Sequence, residues 1–253
     1  MAVRKAERKA GRIVAAVAAT ALVVGGAAAC GPEDLTGGSD DKASASESAS
    51  AGGPEAKEPP AGTDGLAKVP ATVEGGVITV GDPKAGHTVK LYEDARCPIC
   101  KKFEETGAQA LVKPVAEGKV KVEYTLASFL DKNLGGSGSV NAANALRASV
   151  DAGKFPEFHA AVFANQPERE TEDAYTPAFL LKIADKVDGL RGAEFDKAVR
   201  KVTYKKWVGE AMQSFTDDGM QGTPTVVIDG KKAGSDSLFD QDAFAKELKA
   251  AGI

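Results

Sequence analysis

Cysteine and histidine are scarce in this sequence, which holds three cysteines and two histidines among 253 residues. So few cysteines exclude a multi-disulfide scaffold, and no second cysteine pair or Cys/His cluster completes the four ligands of a structural zinc site. A glycine-rich phosphate loop, a carboxylate dyad and a Ser/His/Asp set are also missing. The formal net charge of −4 gives no reason to expect a nucleic-acid partner. We therefore expect no metal and no bound cofactor.

The first 29 residues have the pattern of a secretory signal peptide. Residues 1–12 carry five Lys/Arg against one acid, and residues 13–29 are uncharged, rich in Ala and Val and end in small residues. The following stretch, Ala27-Ala28-Ala29-Cys30, resembles a bacterial lipobox, although leucine is usual where Ala27 stands. This predicts that Cys30 is acylated and anchors the protein to the outer face of the cytoplasmic membrane. An uncleaved signal anchor, or ordinary cleavage that leaves Cys30 free, would also place the domain outside the cytoplasm.

A polar segment separates this signal from the part of the chain that can fold. Residues 31–69 are dominated by Ser, Gly, Pro, Ala and charged residues and offer little to bury. Such a composition does not offset the entropy of ordering the chain. We therefore predict a lipidated cysteine and disordered linker over residues 30–70, followed by one domain over residues 71–253.

The pattern within that domain alternates between strands and helices. Strands are predicted for a hairpin at residues 73–80, then for 87–93, 119–126 and 225–228, the last ending in an Asp-Gly turn. Helical periods cover residues 97–118, with Pro114 as an expected kink, and then 139–152, 156–165, 177–187, 194–215 and 243–251. This order predicts an α/β fold with a helical insertion between strands.

The strongest chemical signal is Cys97-Pro98-Ile99-Cys100 at the junction of a strand and a helix. Proline is favoured in the first helical turn, which places Cys97 at the helix N-terminus, where unpaired N–H groups and the helix dipole stabilise a thiolate. Cys100 follows one turn later on the same side, so one sulfur can attack and the other can resolve the mixed disulfide. We expect Cys97 to be the exposed thiol of low pKa and Cys100 to be buried.

Other roles for this cysteine pair fit less well. A structural disulfide would close nearly the shortest possible loop and would stabilise little. Zinc would need two more ligands. A pair of idle thiols is not expected in an oxidising compartment.

With these motifs in place, the sequence resembles the DsbA-like branch of the thioredoxin superfamily. The matching stretches are residues 80–83 (VGDP), 91–94 (LYED), 97–103 (CPICKKF) and 222–225 (GTPT). The resemblance implies a thioredoxin-like fold with an inserted helical subdomain at about residues 135–215. It also implies that Pro224 is a cis proline facing the cysteine pair, and that the backbone of Thr223 pairs with an extended substrate.

Two positions depart from the family pattern. Strongly oxidising relatives often have histidine between the cysteines, where this chain has Ile99. Relatives also commonly bury an acid six residues before the first cysteine, and Leu91 stands there. Glu93 and Asp94 are close by, but successive strand residues point to opposite faces. The second histidine, His159, is expected to be a partly buried structural residue.

The function that follows is thiol–disulfide exchange, with oxidation favoured over reduction. The expected partners are exported proteins with cysteines, a membrane-bound or soluble redox protein that recycles the pair, and the membrane itself through Cys30. The sequence leaves open a reductase, a maturation factor for particular partners, and a lipid-anchored module that binds peptides without turnover.

Overall fold

The computed structural model describes residues 54–60 and 63–253. The strands are β1 Ala71–Glu74, β2 Val77–Val80, β3 His87–Glu93, β4 Val120–Leu126, β5 Thr225–Ile228 and β6 Lys231–Lys232. The helices are α1 Pro98–Glu105, α2 Gln109–Ala116, α3 Leu130–Leu134, α4 Gly138–Asp151, α5 Phe155–Ala164, α6 Pro177–Ala184, α7 Ala193–Lys201, α8 Lys205–Asp217 and α9 Gln241–Ala250. Short 3-10 turns lie at Thr63–Leu66 and Ser237–Phe239.

The strands form one mixed sheet in the order β1-β2-β4-β3-β5-β6. Strands β3 and β4 are parallel, and the other neighbouring pairs are antiparallel. Parallel neighbours need a crossover connection, which α1 and α2 supply. The strand that leads to the cysteine pair, β3, is bonded to β4 on one side and to β5 on the other, and its Val89 and Leu91 are fully buried in the core.

Helices α3 to α8 lie between β4 and β5 in the chain and form the helical insertion. Their core is apolar: Phe155, Phe158, Leu180 and Ile183 are fully buried. The predicted thioredoxin-like α/β fold with an inserted helical subdomain is confirmed.

Two helix breaks differ from the prediction. The first helix is interrupted at residues 106–108 and not at Pro114, which lies inside α2. At Gly107 a Cβ atom would stand 2.2 Å from the carbonyl oxygen of Leu238, so another part of the chain occupies the space beside this break. The predicted helix at residues 194–215 is also two helices, because Val202 adopts a left-handed conformation with φ of 48°.

The folded part begins earlier than the predicted boundary at residue 71. The Lys57 amide donates a hydrogen bond to Asn165 Oδ1 at 2.6 Å, and its carbonyl accepts one from Asn165 Nδ2 at 3.0 Å. The end of the predicted disordered linker therefore packs on the domain. The predicted signal peptide, Cys30 and the linker up to residue 53 lie outside the described residues. Within the described ranges, no helix has the length and apolar character needed to cross a membrane.

Candidate active site

The cysteine pair lies where β3 ends and α1 begins. Cys97 is the N-cap of α1, and Pro98 is its first residue. The Lys101 amide donates to the Cys97 carbonyl at 3.2 Å, which closes the first helical turn. Ile99 projects from this turn and is 47% exposed. The local sequence explains the geometry, because proline cannot donate a backbone hydrogen bond and is tolerated in the first turn of a helix.

The two thiols differ in accessibility less than expected. Both cysteines are free thiols, with Cys97 7% exposed and Cys100 fully buried. Cys97 is thus much less exposed than predicted, although it is more exposed than Cys100, as predicted. The two cysteines form one buried cluster with Leu130 and Phe163 of the helical insertion.

The loop before β5 meets the cysteine pair. The Thr223–Pro224 peptide bond is cis, as the resemblance implies. The Cys97 thiol donates a hydrogen bond to the Thr223 carbonyl at 3.4 Å. Beside this loop a groove of about 770 Å³ opens over the sheet. Its lining includes Lys90, Tyr92, Asp218, Gln221, Val227 and Lys232.

The two cysteines have opposite pKa shifts. The pKa of Cys97 is lowered to about 6, chiefly by a hydrogen bond from the Cys100 thiol, then by the Thr223 side chain and by the backbone amides of Cys100 and Ile99. These donors outweigh partial burial, which acts in the opposite direction. Burial raises the pKa of Cys100 well above its usual value, and the neighbouring Cys97 raises it further. At neutral pH Cys97 is therefore the thiolate and Cys100 the thiol.

Buried carboxyls lie on the inner side of the pair, contrary to the expectation from Leu91. Glu93 is fully buried, and its carboxylate is hydrogen-bonded to His159 Nε2. Burial raises the pKa of Glu93 well above its usual value, and burial followed by the charge of Glu93 raises the pKa of Glu104 to about 8. His159 is itself buried, and this lowers its pKa. Burial therefore favours the uncharged forms of Glu93, Glu104 and His159.

The sequence contained a signal for this group that was overlooked. Alternation along β3 places Glu93 on the same face as Leu91, two residues before it. Glu104 follows Cys100 by four residues on α1 and so lies on the same helix face. The buried acid of this chain is thus displaced along the strand by two residues and is not lost.

Glu93, Glu104 and His159 are also the described residues that best match a metal-ligand set, since their ligand atoms lie within 4.8 Å of one another. Burial raises the pKa of both carboxyls and so favours their protonated forms. A metal would have to displace those protons and bring two negative charges into a buried site. The group is therefore better suited to hold protons than a cation.

A second buried polar network fixes the loop that precedes Cys97. The Asp94 carboxylate accepts hydrogen bonds from the Ser139 hydroxyl at 2.7 Å and from the Arg96 amide at 3.0 Å. The Arg96 guanidinium in turn donates to Asp131 at 2.8 Å and to the Gly135 carbonyl at 2.7 Å. Burial raises the pKa of Asp94 to about 6. These contacts tie the loop to the helical insertion, and sequence reasoning did not find them.

Fold and site together define the class, that of DsbA-like thiol–disulfide oxidoreductases. The chain belongs to the thioredoxin family: the family model described as "Thioredoxin" matches residues 73–250.

Comparison with individual proteins agrees with this placement. The chain is 27% identical over 179 residues to disulfide bond formation protein D of Bacillus subtilis, covering 69% of this chain and 78% of that protein. The structure of oxidised BdbD from Bacillus subtilis has a TM-score of 0.57 at 22% identity, covering 79% of this chain and 98% of the other. The MdbA protein of Corynebacterium matruchotii, a thiol-disulfide oxidoreductase, gives 0.54 at 25% identity over 66% of this chain and 87% of its own.

Proposed function

We propose that this protein is an extracytoplasmic oxidase that forms disulfide bonds in exported proteins through Cys97 and Cys100. The observation that carries the proposal is the pairing of a stabilised thiolate with an enclosed thiol. The pKa of Cys97 is lowered to about 6, chiefly by a hydrogen bond from the Cys100 thiol, while Cys100 is itself fully buried. The names of the relatives, which refer to disulfide bond formation, support the same direction.

The first step is attack by a substrate thiolate on the Cys97 sulfur of the oxidised protein. A bond forms between the substrate sulfur and Cys97, and the Cys97–Cys100 bond breaks, with its electron pair going to Cys100. Because the pKa of Cys100 is raised well above its usual value, the departing thiolate takes up a proton. Burial favours the protonated forms of Glu93 and Glu104, so these carboxyls are candidate donors of that proton.

The second step releases the product. The second substrate thiolate attacks the substrate sulfur of the mixed disulfide, and Cys97 leaves with the bonding electrons. A thiol of low pKa leaves faster, so the lowered pKa of Cys97 favours this step. The substrate has then lost two electrons and two protons, and the protein holds a thiolate at Cys97 and a thiol at Cys100. A redox partner must remove the two electrons again.

Substrate recognition is assigned to the cis-proline loop. The Thr223 carbonyl faces the Cys97 sulfur, so an extended peptide that pairs with the backbone of this residue would bring its cysteine to the reacting atom. Pro98 and Ile99 belong to the same surface, because Ile99 is the exposed side chain between the two cysteines. The groove beside the loop offers room for the flanking substrate residues.

Delivery to the outer face of the cytoplasmic membrane through a lipid on Cys30 remains part of the proposal. It rests on the basic and apolar pattern of residues 1–29 and on the small residues before Cys30. A reductase or a factor for particular partners would use the same sulfur chemistry. A binding module without turnover would not need a pair with such different thiol pKa values.

The experiment is oxidation of a reduced peptide that contains two cysteines by the disulfide form of the protein. We expect stoichiometric formation of the peptide disulfide together with reduction of the Cys97–Cys100 pair. The Cys97→Ser variant should be inactive, since no mixed disulfide can form at position 97. A wild-type protein that binds the peptide but leaves its thiols reduced would support the binding module instead.

A further inference from the structure

Gln166 connects the helical insertion to the backbone that carries Cys97. The residue is buried and follows the end of α5. Its Nε2 atom donates hydrogen bonds to the Ala95 carbonyl at 2.7 Å and to the Cys97 carbonyl at 3.0 Å. Both hydrogens of one amide group are thus used on two carbonyls of the same short loop.

We propose that Gln166 is a positioning residue for thiol–disulfide exchange, which sets the orientation of the Cys97 sulfur at the N-terminus of α1. The inference deepens the proposed function and depends on Cys97 being the reacting sulfur.

The geometry of the N-cap explains why these carbonyls matter. Cys97 has an extended conformation, with φ of −72° and ψ of 116°, and its ψ angle fixes the direction of its carbonyl relative to its side chain. A hydrogen bond that holds the carbonyl therefore also holds the side-chain direction. The Cys97 sulfur depends on that direction, because the amides of Ile99 and Cys100 that stabilise its thiolate belong to the first turn of α1.

A single amide is well suited to this task. A side-chain NH₂ group presents two donors from one atom, which hydroxyl and carboxylate groups cannot do. The preceding loop is already tied by Asp94 and Arg96, but neither side chain contacts the Cys97 carbonyl. Gln166, which belongs to the helical insertion, therefore donates a hydrogen bond directly to the backbone of the reacting residue.

The test measures the thiol and not only stability. Gln166→Met keeps the length and volume of the side chain but removes both donors. We expect the pKa of Cys97 to rise by about one unit, as read from the pH dependence of its alkylation rate. At a pH below the wild-type pKa, this corresponds to about a tenfold smaller fraction of thiolate. The equilibrium constant with glutathione should shift in the same sense, toward a less oxidising pair.

A matched control separates positioning from general destabilisation. Asn144 is also a buried amide that bonds backbone groups, the Ala198 carbonyl at 3.1 Å and the Tyr204 amide at 2.8 Å, within the helical insertion. Asn144→Ala should lower the urea midpoint and leave the Cys97 pKa unchanged. If Gln166→Met does not fold, Gln166→Leu also removes both donors without adding a charge, and the same rise is expected.

An unchanged Cys97 pKa and an unchanged glutathione equilibrium in the folded Gln166 variant would overturn the proposal, whatever its stability. Failure of the proposed function has a different signature, since the wild-type protein would then not oxidise the dicysteine peptide, while the alkylation comparison between wild type and variant would still give its answer.

Discussion

Replacing Ile99 by histidine is expected to make the cysteine pair more oxidising. Ile99 lies between the cysteines in the first turn of α1 and is 47% exposed. Its backbone amide already helps to lower the pKa of Cys97, but its side chain offers no charge or donor. An imidazole at this position could add one hydrogen bond to the thiolate, and because the position is half-exposed its contribution is discounted to about 1–2 kcal/mol.

This free energy sets the size of the expected effect. For a two-electron couple, about 30 mV corresponds to about 1.4 kcal/mol, so Ile99→His should raise the reduction potential by about 20–45 mV. The pKa of Cys97 should fall by about one unit, because the same contact stabilises the thiolate. Equilibration with glutathione measures the first quantity, and thiolate absorbance against pH measures the second.

Ile99→Asn is the matched control, because it is polar but cannot become positively charged, and it should produce a smaller rise. An Ile99→His variant with an unchanged or lower potential would refute this reasoning. It would mean that hydrogen bonds from outside the motif, first of all from the Thr223–Pro224 loop, already stabilise the Cys97 thiolate so far that an imidazole at position 99 adds nothing.

Three further changes test other parts of the account. Cys100→Ala should accumulate mixed disulfides with substrates at Cys97, because the resolving thiol is gone, and diagonal gels would show them; trapping through Cys100 in a Cys97→Ala variant instead would reverse the assignment. Glu104 has a folded pKa of about 8 against an ordinary value of 4.5. Between these two pH values the folded state holds a proton that the unfolded state has released. The free energy of unfolding should therefore fall as pH rises from about 4.5 to about 8. In the disulfide form, where the cysteines do not titrate, Glu104→Gln should flatten that fall, and parallel pH curves would contradict the assignment. Finally, Cys30→Ala should release the protein from membranes or stall its processing, as intact-mass analysis would show; a wild-type chain with the signal attached and Cys30 unmodified would refute lipidation.

The sequence was most informative where structure is decided locally. Strands β3 and β5 begin and end at the predicted residues, because alternation and the Asp-Gly turn are properties of short segments. The site could be located for the same reason, since Cys97 to Cys100 form one helical turn.

Features that depend on distant contacts were missed. The break before α2 is packed against the Leu238 carbonyl, and Gln166 is separated by 71 residues from Ala95, whose carbonyl it binds. Val202 in a left-handed conformation has no local signal either, because β-branched residues rarely adopt it. Burial of Glu93 by the helical insertion likewise requires the tertiary fold.

The central claim, that Cys97 and Cys100 form an oxidising pair, is tested most directly by the reduction potential of the wild-type protein. Strong oxidants of this superfamily lie at about −120 mV and thioredoxin at about −270 mV. With a stabilised Cys97 thiolate but without histidine at position 99, we predict a value between these limits, below that of the strongest oxidants. A potential at or below that of thioredoxin would contradict the account and identify the protein as a reductant.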